Sequence, residues 1–187
     1  MDHREEILKA TIQVFNDKGL KFTMDDIAEL LRISKKTLYK VFDDKEALFL
    51  AMVDYIFDTI KESERAVVED DSLSTADKIH KILGVLPEGY KDVDLRQLYL
   101  LKDKYPKIYK QVELRLETGW EITIELIEQG IAEGCIQPVK IPILKMMLEA
   151  SLEQFFQRDI LVRNQISYQD ALAEVVNILM EGIKIHK

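Results

Sequence analysis

The chain has 187 residues, of which 47% are apolar and 32% are charged, a balance that is typical of a folded protein with a hydrophobic core. It contains no apolar run of about 18 residues, which argues against a membrane span, and its first residues are charged rather than signal-like. The single cysteine, Cys135, excludes an internal disulfide framework. Together these features predict a cytoplasmic protein.

The net charge of −8 argues against a polyanionic partner, but the charge is distributed unevenly. Residues 1–48 carry a net charge of −1, and the rest of the chain carries −7. Within the first part, residues 32–45 contain five basic and two acidic side chains, a local charge of +3. An acidic body behind a locally basic tip would present that tip to DNA. The competing interpretation is a solvated, charged helix face.

The apolar spacing is helical almost throughout the N-terminal quarter. A first helix is predicted to end at Gly19, which suits the position just past a helix terminus. Thr23 is predicted to cap a helix over 24–31, and Ser34 a helix that ends at Phe42. Asp43 is predicted to cap a long helix that reaches about residue 68.

The remainder of the chain also has helical periodicity, interrupted by glycine and proline. An acidic connector is predicted after the long helix, and five further helices follow it. The sequence therefore predicts an all-α protein of about nine helices, with a DNA-binding domain over 1–48 and a helical body over 49–187. The predicted helices of the body cover 75–86, 95–104, 106–133, 141–160 and 168–185.

Two short helices with a three-residue link, between residues 23 and 42, are predicted to form a helix-turn-helix. Their apolar residues would pack on the first helix, and Ala28 is small where two helices would approach closely. The opposite face of the second helix carries hydrogen-bond donors and an aromatic side chain, which suit a DNA major groove and its phosphates. These residues are Lys35, Lys36, Thr37, Tyr39 and Lys40.

Residues 7–48 resemble the DNA-binding domain of the TetR (tetracycline-repressor) family. Three positions depart from the family pattern: Leu31 and Arg32 stand in the turn where the family usually has Ala-Gly, and Lys36 stands where it often has Gly. A left-handed conformation at Arg32 would cost about 1 kcal/mol relative to Gly. The matching residues are Ile7, Ala10, Phe15, Gly19, Thr23, Ile27, Ala28, Ser34, Thr37, Leu38, Tyr39, Phe42, Lys45, Glu46 and Leu48.

The resemblance implies roles for individual side chains in the head. Thr23 would cap its helix and bind a phosphate, and Lys45 would bind a phosphate near the start of the fourth helix. Tyr39 and Lys40 would contact the DNA backbone. The less favoured alternatives are that Tyr39 is mainly a packing residue and that Lys40 is a solvated surface charge. The residues expected to face base edges are Lys35, Lys36 and Thr37.

A single head makes too few contacts for the affinity of a specific regulator, roughly 10⁻⁸ to 10⁻¹¹ M, so a homodimer on a palindromic operator is expected. The resemblance implies that the last two helices form a four-helix bundle with their copies. Further apolar positions, at Ile143, Met146, Ala150 and Ile178, widen their apolar stripes. The alternative is that this surface is internal core. The predicted interface residues are Leu148, Leu152, Leu172, Val175, Val176 and Leu179.

The resemblance also implies an unidentified small-molecule effector, bound among the middle helices, and no other cofactor. Aromatic and Met side chains suit an adaptable apolar pocket, although such stripes also occur in ordinary cores. Ligand binding would tilt the long helix and release the protein, a transcriptional repressor, from its operator. The predicted ligand-binding residues are Tyr99, Trp120, Met147 and Phe155.

Two other functional classes are alternatives to a DNA-binding regulator. An enzyme is disfavoured because the chain has no local catalytic motif and no metal-ligand spacing among its histidines and Cys135. A helical binding protein whose head has lost DNA recognition is compatible with the acidic net charge. The basic, donor-rich segment from Lys35 to Lys45 favours the DNA-binding interpretation.

Overall fold

The computed structural model describes residues 3–86 and 100–185, and helices are the regular structure of these ranges, with one isolated bridge between Ile136 and Lys184. This confirms the predicted all-α class. The described ranges hold eleven α-helices, close to the predicted nine. They are α1 His3–Lys18, α2 Met24–Leu31, α3 Lys35–Tyr39, α4 Lys45–Glu69, α5 Thr75–Leu83, α6 Leu101–Lys104, α7 Pro106–Glu117, α8 Glu121–Ala132, α9 Ile141–Gln157, α10 Ile160–Asn164 and α11 Tyr168–Ile183.

The two additional helices have local causes. The predicted helix over 106–133 is divided into α7 and α8 because Gly119, between them, has a positive φ of 77° that a continuing helix does not allow. The helix predicted over 141–160 ends at Gln157, and the separate turn of α10 follows it. Of the helix predicted over 95–104, only Leu101–Lys104 is helical within the described residues.

The helices of the head begin where polar side chains satisfy their free N–H groups. Thr23 and Asp26 form a complete capping box at α2, and the Ser34 hydroxyl accepts a hydrogen bond from the Thr37 N–H at α3. The cap of α4 is Asp44, whose carboxylate accepts from the Ala47 N–H at 2.7 Å, rather than the predicted Asp43. The cap lies one residue later because Asp44 has the extended backbone that this position requires.

A cluster of aromatic rings forms the junction of head and body. The ring of Phe49 lies 5.7 Å from Phe15, 5.4 Å from Phe22 and 5.5 Å from Tyr105, in tilted or edge-to-face geometry. Phe15 and Phe22 belong to the head, Phe49 to α4, and Tyr105 precedes α7 in the body. The boundary predicted between residues 48 and 49 falls inside α4, one continuous helix that is shared by the two parts.

The body packs as helix pairs around a core, with α4 against α5 and α7, α5 against α8, and α9 against α11. The approach of α5 to α8 is close at Gly130, where an added Cβ would lie 2.7 Å from Ile136 and 2.9 Å from Ile79. Any larger residue at this position would therefore separate the two helices. No helix in the described ranges is long and apolar enough to cross a membrane.

Candidate nucleic-acid interface and ligand cavity

The helix α3 is anchored on one side and open on the other. Its Leu38 is fully buried, and Phe42, just beyond the helix, is 3% exposed and lies under the Arg4 guanidinium at 4.6 Å. These apolar anchors fix α3 on the rest of the head, so its opposite face is turned to solvent.

The open face of α3 carries the free hydrogen-bond donors of the head. Lys36 and Lys40 are exposed, and neither has an ion pair or side-chain hydrogen bond within the described part of the chain. Tyr39 is 47% exposed, a high value for a tyrosine in a folded head. This surface offers two ammonium groups and a phenol to an anionic partner, as the sequence predicted.

The neighbouring candidates already have partners inside the head. Lys35 is paired with Asp25 at 2.6 Å, and this carboxylate raises the pKa of the Lys35 ammonium. The Thr37 and Ser34 hydroxyls lie 2.9 Å apart, and the Thr23 hydroxyl accepts from the Asp26 N–H. The predicted cap role of Thr23 is thus confirmed. Its predicted phosphate contact stays a prediction.

Lys45 lies in a different environment from the one that the sequence suggested. Its Nζ donates to the Leu20 carbonyl at 3.1 Å and to the Tyr105 hydroxyl at 2.9 Å, and it lies 4.2 Å from the centre of the Phe22 ring. The Tyr105 hydroxyl in turn donates to the Leu20 carbonyl at 3.2 Å. In this structure Lys45 therefore joins head and body, and a phosphate would have to compete with these contacts.

Arg32 ends α2 in the left-handed conformation, with φ 54° and ψ 39°. Because this conformation is left-handed, Arg32 is less favourable here than the Gly that the family usually has. Left-handed geometry costs a non-glycine residue roughly 1 kcal/mol, so the turn of the helix-turn-helix carries backbone strain.

An apolar cavity of about 180 Å³ lies between head and body. The head contributes Ile12 and Phe15 to its wall, and α4 contributes a row of side chains that begins with Phe49. The same helix that leads into the DNA-binding head is therefore one wall of the cavity. Other lining residues are Met52, Val53, Ile56, Phe57, Ile60, Ile82, Leu83, Leu101, Val112, Leu116, Trp120, Leu148, Leu152, Phe156, Tyr168 and Leu172.

The charged groups at the cavity wall are paired with one another. The Lys61 Nζ donates to both oxygens of Glu64 at 2.9 Å and to the Gly119 carbonyl at 2.6 Å. Glu64 is only 5% exposed, and burial raises the pKa of its carboxyl group. The Arg115 guanidinium donates to Asp58 at 2.6 Å. Within the described ranges, no group of three or more His, Cys, Asp or Glu side chains is arranged to hold a metal.

The chain is similar to known transcriptional regulators. Residues 7–52 match the profile of the family described as "Bacterial regulatory proteins, tetR family". The uncharacterized HTH-type transcriptional regulator YvaF of Bacillus subtilis is 27% identical over 183 residues, which are 98% of this chain and 95% of YvaF. The uncharacterized HTH-type transcriptional regulator YhgD of the same organism is 35% identical over 145 residues, 74% of each chain. The chain belongs to the TetR family.

The likeness to a solved structure extends over nearly the full length of the sequence. The crystal structure of the transcriptional regulator FadR from Bacillus subtilis, determined in complex with stearoyl-CoA, has a TM-score of 0.62 at 17% identity. The match covers 97% of this chain and 99% of that one. At this identity the likeness shows a shared fold.

Some of the ligand-binding residues predicted for this TetR-family body line the cavity, and others do not. Trp120 lines the cavity, whereas Tyr99 lies outside the described residues. Met147 does not line the cavity, because its side chain is 49% exposed on the outer face of α9. Phe155 does not line it either, and the ligand-binding role of both residues stays a prediction. The Phe155 ring packs on Tyr168 at 5.9 Å, and the next residue, Phe156, lines the cavity instead.

The predicted dimer residues lie inside the subunit. Five of the six are buried, and three of these five line the cavity, so the alternative of internal core applies to them. The sixth, Val175, is half-buried against the core. The buried residues are Leu148, Leu152, Leu172, Val176 and Leu179.

The apolar positions that widen the two stripes are the exposed ones. Ile143 and Met146 on α9 are 50% and 54% exposed, Ala150 is exposed, and Ile178 on α11 is 63% exposed. Met147, predicted as a ligand-binding residue, is 49% exposed beside them. Because large apolar side chains on one face of two packed helices are a mark of a protein interface, these residues replace the predicted set as interface candidates. The widened periodicity was the signal for them in the sequence.

Sequence reasoning missed the polar groups of the cavity. Lys61 and Glu64 are three residues apart on α4, a spacing that places them on one face, but the sequence does not indicate that this face is buried. The same is true of Arg115 on α7, which looks like a surface charge in the sequence. Thr123, 3% exposed, lay inside the predicted continuous helix over 106–133 and carried no signal at all.

Proposed function

We propose that this TetR-family regulator is a homodimeric repressor that binds a palindromic operator in the cytoplasm and leaves it when a small molecule enters the cavity. The proposal rests on the presence of a DNA-binding face and a cavity that both include residues of the head. The open face of α3 holds free donors, and the cavity wall includes residues of the head itself. One site can thus act on the other through direct contact.

DNA recognition is assigned to the α3 face. Lys36, at the second position of the helix, is the best placed to reach base edges, because its ammonium is exposed and unpaired within the described ranges. Thr37 supports it, and Lys35 joins it once the Asp25 ion pair is exchanged for a base or phosphate. Tyr39 and Lys40 contact the phosphate backbone, and Thr23 adds a contact at the start of α2.

Dimerisation is assigned to the outer faces of α9 and α11. Ile143, Met146, Met147 and Ile178 would be covered by the same residues of a second copy, as a two-fold interface requires. The two heads of such a dimer read two half-sites, which supplies the contacts that one head lacks.

Ligand release is supported by the position of α4. A molecule in the cavity would touch Phe49 on α4 and Phe15 on α1, so its binding free energy can differ between two orientations of the head. Such coupling is typically about 1–3 kcal/mol and acts in both directions. The FadR structure, with stearoyl-CoA bound to the same fold, supports a ligand-binding role for the body.

The proposal is tested by a fluorescence-anisotropy titration of the purified protein against DNA that flanks its own gene, at two salt concentrations. We expect saturable binding that exceeds binding to random DNA and weakens steeply with salt, because phosphate contacts release counterions. Lys36→Ala should weaken specific binding at least about fivefold, since one good base contact contributes roughly 1–3 kcal/mol. Tyr39→Phe should weaken it roughly tenfold without unfolding the head.

The matched control is Lys110→Ala, which removes an exposed lysine from α7, far along the chain from α3. It carries the same loss of charge and should leave the affinity within twofold. Equal effects of Lys36→Ala and Lys110→Ala would show that the α3 face is not the recognition surface. If flanking DNA binds no better than random DNA, selection of bound fragments from the whole genome decides whether any operator exists.

A further inference from the structure

The chemical class of the effector can be argued from three properties of the cavity: its size, the pairing of its charges and one hydroxyl group. The argument rests on the proposed function, since it takes the cavity as the effector site. Each property independently limits the chemical class of ligand that the cavity can bind.

The size of the cavity limits the ligand. Its volume of about 180 Å³ is close to the roughly 150 Å³ of an engineered apolar cavity that takes up benzene. Sites for drug-sized ligands occupy roughly 300–1,000 Å³. The volume therefore suits one ring, or a branched chain of similar size.

The charges at the wall disfavour an ionic ligand. Lys61 already has three acceptors, in Glu64 and the Gly119 carbonyl, and Arg115 is held by carboxylates of α4. The remainder of the described wall is almost entirely aliphatic and aromatic. Among the described lining residues every charge is paired, so a charged ligand would lose its hydration and would have to break one of these pairs to find a partner there.

The wall includes one threonine side chain that is available to a ligand. Thr123 lines the cavity, and its side chain forms no hydrogen bond with any residue in 3–86 or 100–185. In an apolar pocket, a few polar groups of this kind fix the orientation of a bound ligand.

We propose that the effector is a small, uncharged, single-ring or similarly compact apolar molecule with one hydroxyl or carbonyl group, which forms a hydrogen bond with Thr123. Its apolar part fills the space between Phe49, Trp120 and Leu152. Its polar group forms the hydrogen bond with Thr123, while the Lys61–Glu64 pair stays intact.

The proposal is tested on the full chain without DNA, with four molecules of nearly equal size: benzyl alcohol, toluene, benzoate and benzylammonium. Trp120 is the only tryptophan in the sequence and lines the cavity, so its fluorescence reports binding, and calorimetry gives the affinities. Benzyl alcohol should bind roughly two- to tenfold more tightly than toluene, the range of one net hydrogen bond. Both ions should bind at least about tenfold more weakly than benzyl alcohol.

The variant Thr123→Val keeps the shape of the side chain and removes the hydroxyl. It should abolish the preference for benzyl alcohol over toluene and leave toluene binding unchanged, whereas Thr123→Ser should retain the preference. The proposal is overturned if the preference survives in Thr123→Val, if either ion or palmitoyl-CoA binds more tightly than benzyl alcohol, or if benzyl alcohol does not bind up to its solubility.

A second titration separates this inference from the function on which it rests. If benzyl alcohol binds as expected but leaves operator affinity unchanged, the ligand class stands and the release mechanism fails. If it does not bind while the protein still recognises an operator, DNA recognition stands and the ligand class fails.

Discussion

The open face of α3 and the cavity behind α4 are both formed by amphipathic helices, but different parts of the sequence determine them. The α3 face depends on local features: the Ser34 cap, the buried Leu38 and the lysines on the opposite side. The cavity depends on eight of the described helices, which meet from distant parts of the chain. Local signals can therefore be identified in the sequence, whereas the neighbours of a body helix cannot.

The first prediction concerns the core that the head and the body share. Phe49 is 2% exposed and contacts rings from both head and body. Phe49→Ala should lower the free energy of unfolding by about 3–5 kcal/mol, the usual cost of removing a buried phenylalanine side chain. Urea denaturation measures the change.

The control for this substitution is Leu30→Ala, which truncates a side chain that is 42% exposed on α2 and should change stability by less than about 0.5 kcal/mol. A cost below about 1 kcal/mol for Phe49→Ala would mean that the head and the body do not share a core.

A second test compares adjacent residues on the two faces of α9. Leu148 is 3% exposed and lines the cavity, whereas Met147 is 49% exposed. Leu148→Ala should cost about 2–5 kcal/mol of subunit stability at any protein concentration. Met147→Ala should instead weaken association, so that its effect on the melting temperature grows as the protein is diluted toward the dissociation constant.

Sedimentation of both variants over a range of concentrations completes this test. If Leu148→Ala dissociates the protein and Met147→Ala does not, the original assignment of Leu148 to the subunit interface is restored.

This contrast on α9 shows how far the sequence determines the fold. Capping residues and the apolar stripes of the head were sufficient to predict α2 and α3, because helix caps and a helix-turn-helix are determined within about 20 residues. In the body, the apolar stripe through Leu148 and Leu152 predicted a helix correctly, but apolar periodicity does not distinguish a core neighbour from a second subunit. The position of Thr123 in the cavity wall depends on the break at Gly119 and on packing between distant helices.

The third test concerns the polar contact between the two regions. Tyr105→Phe removes a hydroxyl that accepts from Lys45 and donates to the Leu20 carbonyl, and it should cost about 1 kcal/mol of stability. In the background of Lys45→Met the same substitution should cost less, because one of its two hydrogen bonds is already lost. The difference, at least about 0.5 kcal/mol, is the coupling energy of the pair. Additive effects would show that Lys45 and Tyr105 do not interact in solution.

The prediction with the smallest expected effect compares backbone strain in the head with backbone strain in the body. Arg32 in the head and Gln165 in the body both end a helix with nearly the same left-handed backbone, φ 54° and φ 55°. Replacement by Gly relieves the steric cost of this conformation but increases the entropy of the unfolded chain, so each variant should gain at most about 1 kcal/mol. Chemical denaturation of Arg32→Gly and Gln165→Gly measures both gains.

The two gains should agree within about 0.5 kcal/mol if the strain is purely local, because the backbone angles are matched. Arg32→Ala and Gln165→Ala serve as controls, since alanine retains the Cβ and should not relieve the strain. A gain for Gln165→Gly together with a loss for Arg32→Gly would show that the Arg32 side chain stabilises the head by more than its backbone costs. The family's usual glycine would then be replaced here for a side-chain interaction, and operator affinity of Arg32→Gly would fall rather than stay constant.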